Sequence, residues 1–142
     1  MKIVILGCGR VGSTLAMMMD RAGHKVSVID TSSDSFQRLP PQFSGETFVG
    51  NGVDEDVLIR AGIREADAFA AVTNGDNRNI MASQIAKEIF QVKKVVCRIY
   101  DPIREETYHE LGLETISPTM VGAQLMFEAI VGKKPDAKDA KG

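Results

Sequence analysis

Apolar positions along the chain come in short dense bursts, separated by longer stretches in which they recur every three or four residues. Ile3-Val4-Ile5-Leu6 is a continuous β-branched and aliphatic run, the pattern of a strand buried on both faces. Residues 13–21 follow with Leu15, Ala16, Met18 and Met19 on a broad helical face that Gly23 stops. Residues 25–30 (KVSVID) alternate as a second strand, and residues 32–39 read as a short helix ended by Pro40-Pro41. Further strands are predicted at 47–49, 66–73, 95–97 and 114–116. Between them lie helices at 54–60, closed by Gly62, at 79–90 and at 102–111, with a last apolar helix at 121–131.

Strand and helix alternate throughout, which predicts an α/β fold. The architecture is a single Rossmann-like doubly wound domain: a six-stranded, mostly parallel sheet with helices on both faces. The domain spans residues 1–131. The remainder, GKKPDAKDAKG at 132–142, is charged and rich in Gly, Pro and Ala, and is expected to be a flexible tail or linker stub.

Composition narrows the function without naming it. With 142 residues, 44% hydrophobic and a net charge of −2, the chain suits one domain and offers nothing basic to a nucleic acid. Its apolar runs fall far short of a membrane span, and the opening MKIVIL is too short for a signal peptide. Cys8 and Cys97 stand far apart beside apolar runs. They read as small buried residues of a protein in a reducing cytoplasm, and no C-x-x-C or H-E-x-x-H spacing suggests a metal.

The sharpest signal is Gly7-Cys8-Gly9-Arg10-Val11-Gly12, a G-x-G-x-x-G that follows a predicted strand and opens a predicted helix. Gly7 permits the tight turn, Gly9 lets a pyrophosphate approach the backbone, and Gly12 lets helix and strand pack closely. The helix N-terminus adds unpaired N–H groups and partial positive charge. Asp30 ends the second strand, where a carboxylate accepts ribose hydroxyls and repels a 2′-phosphate; it also reads as an N-cap of the next helix. For a reaction the chain offers little. His24 sits in the turn before the second strand, away from the glycine loop, and His109 lies in a polar helix. The reading is a nucleotide sensor and not an enzyme, with a fragment of an NAD-dependent oxidoreductase as the alternative.

Several motifs in order resemble the RCK/KTN (Trk-N) domain of the regulatory subunits of Trk/Ktr potassium-uptake systems. They are GCGRVG, VSVIDTSSD, FVGNGVDEDVLIRAGIREADAFAAVTNGDNRNIMAS, VVCRIYDP and ELGLETISPTMVGAQLM. The resemblance implies a cytoplasmic domain, peripheral to the membrane through its partner, that gates K⁺ flux by binding NAD(H) or ATP/ADP. It implies a homodimer assembling into an octameric ring beneath a membrane potassium channel or transporter subunit. Carried over residue by residue, Gly7, Cys8, Gly9, Val11 and Gly12 would hold the phosphates, and Arg10 would reach a phosphate, in the neighbouring subunit or its own. Asp30 would bind the ribose with Thr31 beside it. Asn51, Gly52 and Val53 would border the adenine, although Asn51-Gly52 reads equally as a tight turn. Thr73, Asn74 and Gly75 would form the carboxyl edge, Asn79 would cap or contact the ligand, and Arg98 would meet a phosphate or pair with Asp101 or Glu105. ATP-binding members follow the Ser-Pro with a cation-holding glutamate; here Ser117-Pro118 precedes Thr119, which favours NAD(H). The apolar residues of the last helix cover more than one stripe, more than a lone domain could bury; the resemblance implies a crossover helix that packs on a second subunit, the other reading being a core helix on its own sheet. Full regulatory subunits usually continue into a smaller second domain, so the chain is expected to be either part of such a protein or a single-domain subunit.

Overall fold

In a computed structural model, the structure describes residues 1–136. Six strands form one sheet in the order β3-β2-β1-β4-β5-β6, and every pairing is parallel. The strands are β1 Lys2–Leu6, β2 Lys25–Asp30, β3 Glu46–Val49, β4 Ala68–Ala71, β5 Lys94–Arg98 and β6 Glu114–Ile116. The helices are α1 Arg10–Arg21, α2 Glu55–Arg60, α3 Asp76–Gln84, α4 Glu105–Glu110 and α5 Pro118–Val131. The expected doubly wound domain is therefore present, with a wholly parallel sheet.

Strand parity divides the core. Ile3, Ile5, Val26, Val28, Ala68 and Ala70 face α1, where Ala16 is fully buried. Val4, Leu6, Ile29, Phe69 and Ala71 face α2 and α3, meeting Leu58, Ala82 and Ala86. A smaller cluster of Ile80, Cys97, Ile99, Tyr108 and Leu113 joins α3, β5 and α4. On the α1 side, β5 and β6 present Val96 and Arg98, half-buried, and Glu114 and Ile116, exposed. Among the described residues no core cluster covers that part of the sheet.

Element boundaries shift from the sequence reading for local reasons. Helix α1 starts at Arg10 because Gly9 serves as its N-cap and accepts the Ser13 N–H at 2.9 Å. The segment Ser33–Arg38 is a 3-10 helix and not an α-helix, with only half-buried Phe36 anchoring it before Leu39 turns extended. Strand β4 is shorter than expected. The Ala66 N–H closes a turn onto Ile63 O, and the Thr73 N–H leaves the ladder for a side chain. Helix α3 begins at Asp76 and ends in a π-turn over Ile85–Ile89, closed by Phe90 N–H to Ile85 O at 3.2 Å. Ser117 caps α5, its Oγ accepting the Met120 N–H, with Pro118 at the first helical position. The expected 102–111 helix is a 3-10 turn, Pro102–Arg104, running into α4. Of the expected tail at 132–142, Gly132 ends α5 at φ 81°, and residues 137–142 lie outside the described residues.

Candidate functional site

Between β1 and β4 the strand order reverses, and there the carboxyl ends of β1, β2, β4 and β5 surround a cleft of about 540 Å³. Its floor is the glycine loop. Gly7 has φ 108° and donates its N–H to Ile29 O at 2.7 Å, so the loop turns sharply against β2. A Cβ on Gly12 would fall 1.8 Å from the Gly7 carbonyl oxygen, so α1 and the turn interlock through two residues without side chains. At Gly9 a Cβ would meet nothing within 4 Å. Gly9 is thus not needed for packing; its bare backbone faces the open cleft at the N-terminus of α1, where a phosphate can approach the N–H groups.

Asp30 fixes the β2 side. One carboxylate oxygen accepts the Cys8 N–H at 2.8 Å and the other accepts the Ser32 N–H at 2.9 Å. The carboxylate thus shapes the glycine loop while still lining the cleft, where spare lone pairs remain for ribose hydroxyls. The Cys8 thiol is fully buried behind the loop. Burial pushes its pKa up and the Asp30 charge adds to this, against an opposing pull from Arg38. Cys97 is also buried, and burial likewise raises its pKa. Both cysteines are free and enclosed, as expected from the sequence.

On the β4–β5 side a buried amide organises the wall. Asn79 Oδ1 accepts from Thr73 N–H at 2.9 Å and Thr73 Oγ1 at 2.6 Å. Its Nδ2 donates to Thr73 O at 3.0 Å and Arg98 O at 3.1 Å. Every polar site of the amide is used inside the protein, so Asn79 holds the wall and does not line the cleft. Asp76, in the first turn of α3, accepts Tyr100 N–H at 2.7 Å and Asp101 N–H at 3.1 Å, pinning the loop after β5. Arg98 donates to the Tyr100 hydroxyl at 2.6 Å and lies 4.2 Å over its ring, while its buried Nε has no hydrogen-bond partner among the described residues. The Arg98 pairing with Asp101 or Glu105 is not formed; Asp101 lies instead 3.9 Å from Arg104.

The structure brings Gly7, Gly9, Arg10, Val11, Asp30, Thr31, Gly52, Thr73, Asn74 and Arg98 together around the cleft. Gly12, Asn51, Val53, Gly75, Asn79 and the Cys8 side chain stand behind or beside it. Asn51 makes the tight turn that was the other reading of Asn51-Gly52, its Oδ1 accepting the Val53 N–H at 3.1 Å. Gly75 is the N-cap of α3, and its N–H donates to Thr73 Oγ1 at 3.2 Å. The cleft also includes Ser35, Arg38, Arg78 and Tyr100, which the sequence reading missed. Two signals could have found the last pair. Arg78 immediately precedes the helix expected at 79–90, where a cation is unfavourable without an anion, and Tyr100 is two residues beyond Arg98 at a strand end. The ionisable groups lining the cleft are thus four arginines, Asp30 and Tyr100, a set suited to holding an anion.

Comparison with known proteins agrees with this geometry. The sequence model of the TrkA-N domain matches residues 3–118. The Trk system potassium uptake protein TrkA of Streptomyces coelicolor is 47% identical over 144 residues, covering 100% of this chain. The chain spans only 65% of that protein's length. Among solved structures, the Shewanella denitrificans Kef C-terminal domain in its AMP-bound form superposes with a TM-score of 0.78 at 21% identity, over 99% of this chain and 87% of that one. The GsuK channel bound to NAD superposes with a TM-score of 0.75 at 23% identity, over 89% of this chain and 22% of that one. At those identities the structural likeness establishes the fold.

Proposed function

Starting from the fact that this chain belongs to the TrkA-N domain family, we propose that it is a nucleotide-sensing regulatory domain of a potassium transport system. It binds an adenine nucleotide in the cleft, NAD(H) or alternatively ATP or ADP, and thereby biases K⁺ flux through a membrane partner. The observation that carries this reading is Gly9, whose bare backbone faces the open cleft at the start of α1 between Asp30 and four arginines. The Streptomyces relative is named for potassium uptake, and structural neighbours are described with AMP or NAD bound.

Binding acts by selection between conformations, since a ligand shifts an equilibrium only by its differential affinity for the two states. The moving parts are two copies of the domain. Helix α5 has no buried residue although Val121, Leu125, Met126, Ile130 and Val131 are all apolar and exposed. The uncovered β5–β6 face, with Val96 and Ile116, offers a surface for the same helix of a second copy. Such dimers assemble into an octameric ring at the cytoplasmic face of the membrane, docked to the transporter subunit. No helix among the described residues is long and apolar enough to cross a membrane, and the membrane-spanning part of the system is assigned to that subunit.

The test is calorimetric titration with NADH, NAD⁺, ATP and ADP. The expected result is saturable binding that Gly9→Ala and Asp30→Ala each weaken by about tenfold or more, equivalent to about 1.4 kcal/mol. Binding insensitive to both substitutions, or no binding of any adenine nucleotide, refutes the assignment. Sedimentation of the same protein should show dimers or larger rings.

A further inference from the structure

The two ends of the cleft differ in charge. The β2 end carries Asp30, hydrogen-bonded to the glycine loop, together with Arg38. The β4–β5 end carries Arg78 and Arg98, and no carboxylate among the described residues lines it. Asp76, the acid nearest in the chain, has its two oxygens turned to the Tyr100 and Asp101 N–H groups. Arg98 is held in place by the Tyr100 ring and hydroxyl, yet its buried Nε lacks a partner. The Arg78 guanidinium folds back toward Gly75 at the N-terminus of α3, where a cation is unfavourable unless an anion accompanies it. The two guanidinium groups together make this end of the cleft the positive one.

A nucleotide lying with its ribose at Asp30 and its first phosphates over Gly9 extends its remaining part to Arg78 and Arg98. For a mononucleotide that part is the end of the phosphate chain. For a dinucleotide it is the second ribose and the nicotinamide ring, which is cationic when oxidised and neutral when reduced. Resting on the nucleotide-site reading above, we propose that Arg78 and Arg98 make the far end of the cleft a charge reader, ranking ligands by the charge they place there. The reduced dinucleotide then binds more tightly than the oxidised one, and a triphosphate more tightly than a monophosphate. Arg78 is the specificity-determining residue that the fold can spare, since it is exposed and its side chain makes no hydrogen bond among the described residues. Arg98 is part of the wall, tied through its carbonyl to Asn79.

The test measures affinity for NADH, NAD⁺, ATP and AMP by calorimetry in chelator-containing buffer at low and high salt, for the wild type, Arg78→Gln and Arg78→Lys. The wild type is expected to prefer NADH over NAD⁺ and ATP over AMP by about tenfold each. Both preferences should fall to about twofold in Arg78→Gln, survive largely in Arg78→Lys, and shrink in the wild type at high salt. Inorganic tripolyphosphate should compete with ATP in the wild type and lose that ability in Arg78→Gln. Melting temperatures of the variants should match the wild type. Equal affinities within each pair, or preferences that Arg78→Gln leaves intact, overturn the charge reader while Gly9-dependent binding keeps the nucleotide site. Loss of Gly9-dependent binding to all four ligands removes the site itself and the inference with it.

Discussion

Helices α1 and α5 are similar in length, 12 and 14 residues, and opposite in fate. Helix α1 mixes Arg10, Asp20 and Arg21 with apolar residues, yet it buries Gly12, Ser13 and Ala16 against the sheet. Helix α5, PTMVGAQLMFEAIV, carries one charged residue and buries nothing. Apolar content and burial therefore run in opposite order. The sheet accepts α1 because glycine at position 12 permits close approach, whereas nothing among the described residues covers the apolar surface of α5. That exposed apolar surface is what the proposed contact with a second copy would cover.

Substitutions can break or sharpen this contrast. The largest effect is expected for Gly12→Ala, because the added carbon would sit 1.8 Å from the Gly7 carbonyl oxygen and backbone must move. A loss of about 3 kcal/mol in urea unfolding is expected from such overpacking. An unchanged midpoint would show that α1 is as loosely seated as α5. Next comes Leu125→Asp, at a side chain 60% exposed. Self-association should weaken by about thirtyfold, or about 2 kcal/mol, in sedimentation equilibrium, with the unfolding of the monomer unaffected. Gly9→Ala should leave stability within about 0.5 kcal/mol, since its φ of −81° suits alanine, while nucleotide affinity drops about tenfold. Met18→Lys is the control on α1, where Met18 is 62% exposed. A change below about 0.5 kcal/mol in stability and none in association would separate an isolated apolar residue from the α5 surface.

The smallest effect concerns the foot of α1. Ser44 donates its hydroxyl to Asp20 at 2.5 Å and its N–H at 3.1 Å, and these bonds lower the Asp20 pKa. The tie therefore adds stability above the ordinary carboxylate pKa of the unfolded chain and loses it as pH falls through the lower folded value. Melting curves of the wild type and Asp20→Ala should approach each other on acidification and separate again toward neutral pH.

Much of the site was legible because it is built from backbone. Gly7, Gly9 and Gly12 announce a turn, an opening and a close approach by the absence of a side chain, and Asp30 follows at the end of the next strand. Alternating apolar bursts were sufficient for the sheet and its helices. Less legible was whatever depends on three-dimensional neighbours. Asn79 looked like a ligand residue because amides serve in both roles, and only its four internal hydrogen bonds, to Thr73 and Arg98, show it as structural. Arg38 lies on a 3-10 segment whose direction no periodicity predicts, and Arg78 resembles any solvated arginine until Gly75 and the cleft are seen beside it. The 3-10 geometry of Ser33–Arg38 was hidden as well, since short serine-rich segments carry no strong preference for a full α-turn.

The Asn79 amide also sets the mechanics of the cleft. It ties Thr73, after β4, to Arg98, at the end of β5, so these two banks behave as one plate. A change in cleft width cannot be taken up by parting those strands without stranding a buried amide. On the opposite bank the Asp30 carboxylate ties the end of β2 to the glycine loop through the Cys8 N–H, and Ser33–Arg38 adds the packing of Phe36 and a 3.5 Å bond from Arg38 to the Cys8 carbonyl. Each bank is thus fastened by one side chain, Asn79 on one and Asp30 on the other, so the outline of the cleft is set by hydrogen bonds internal to the protein.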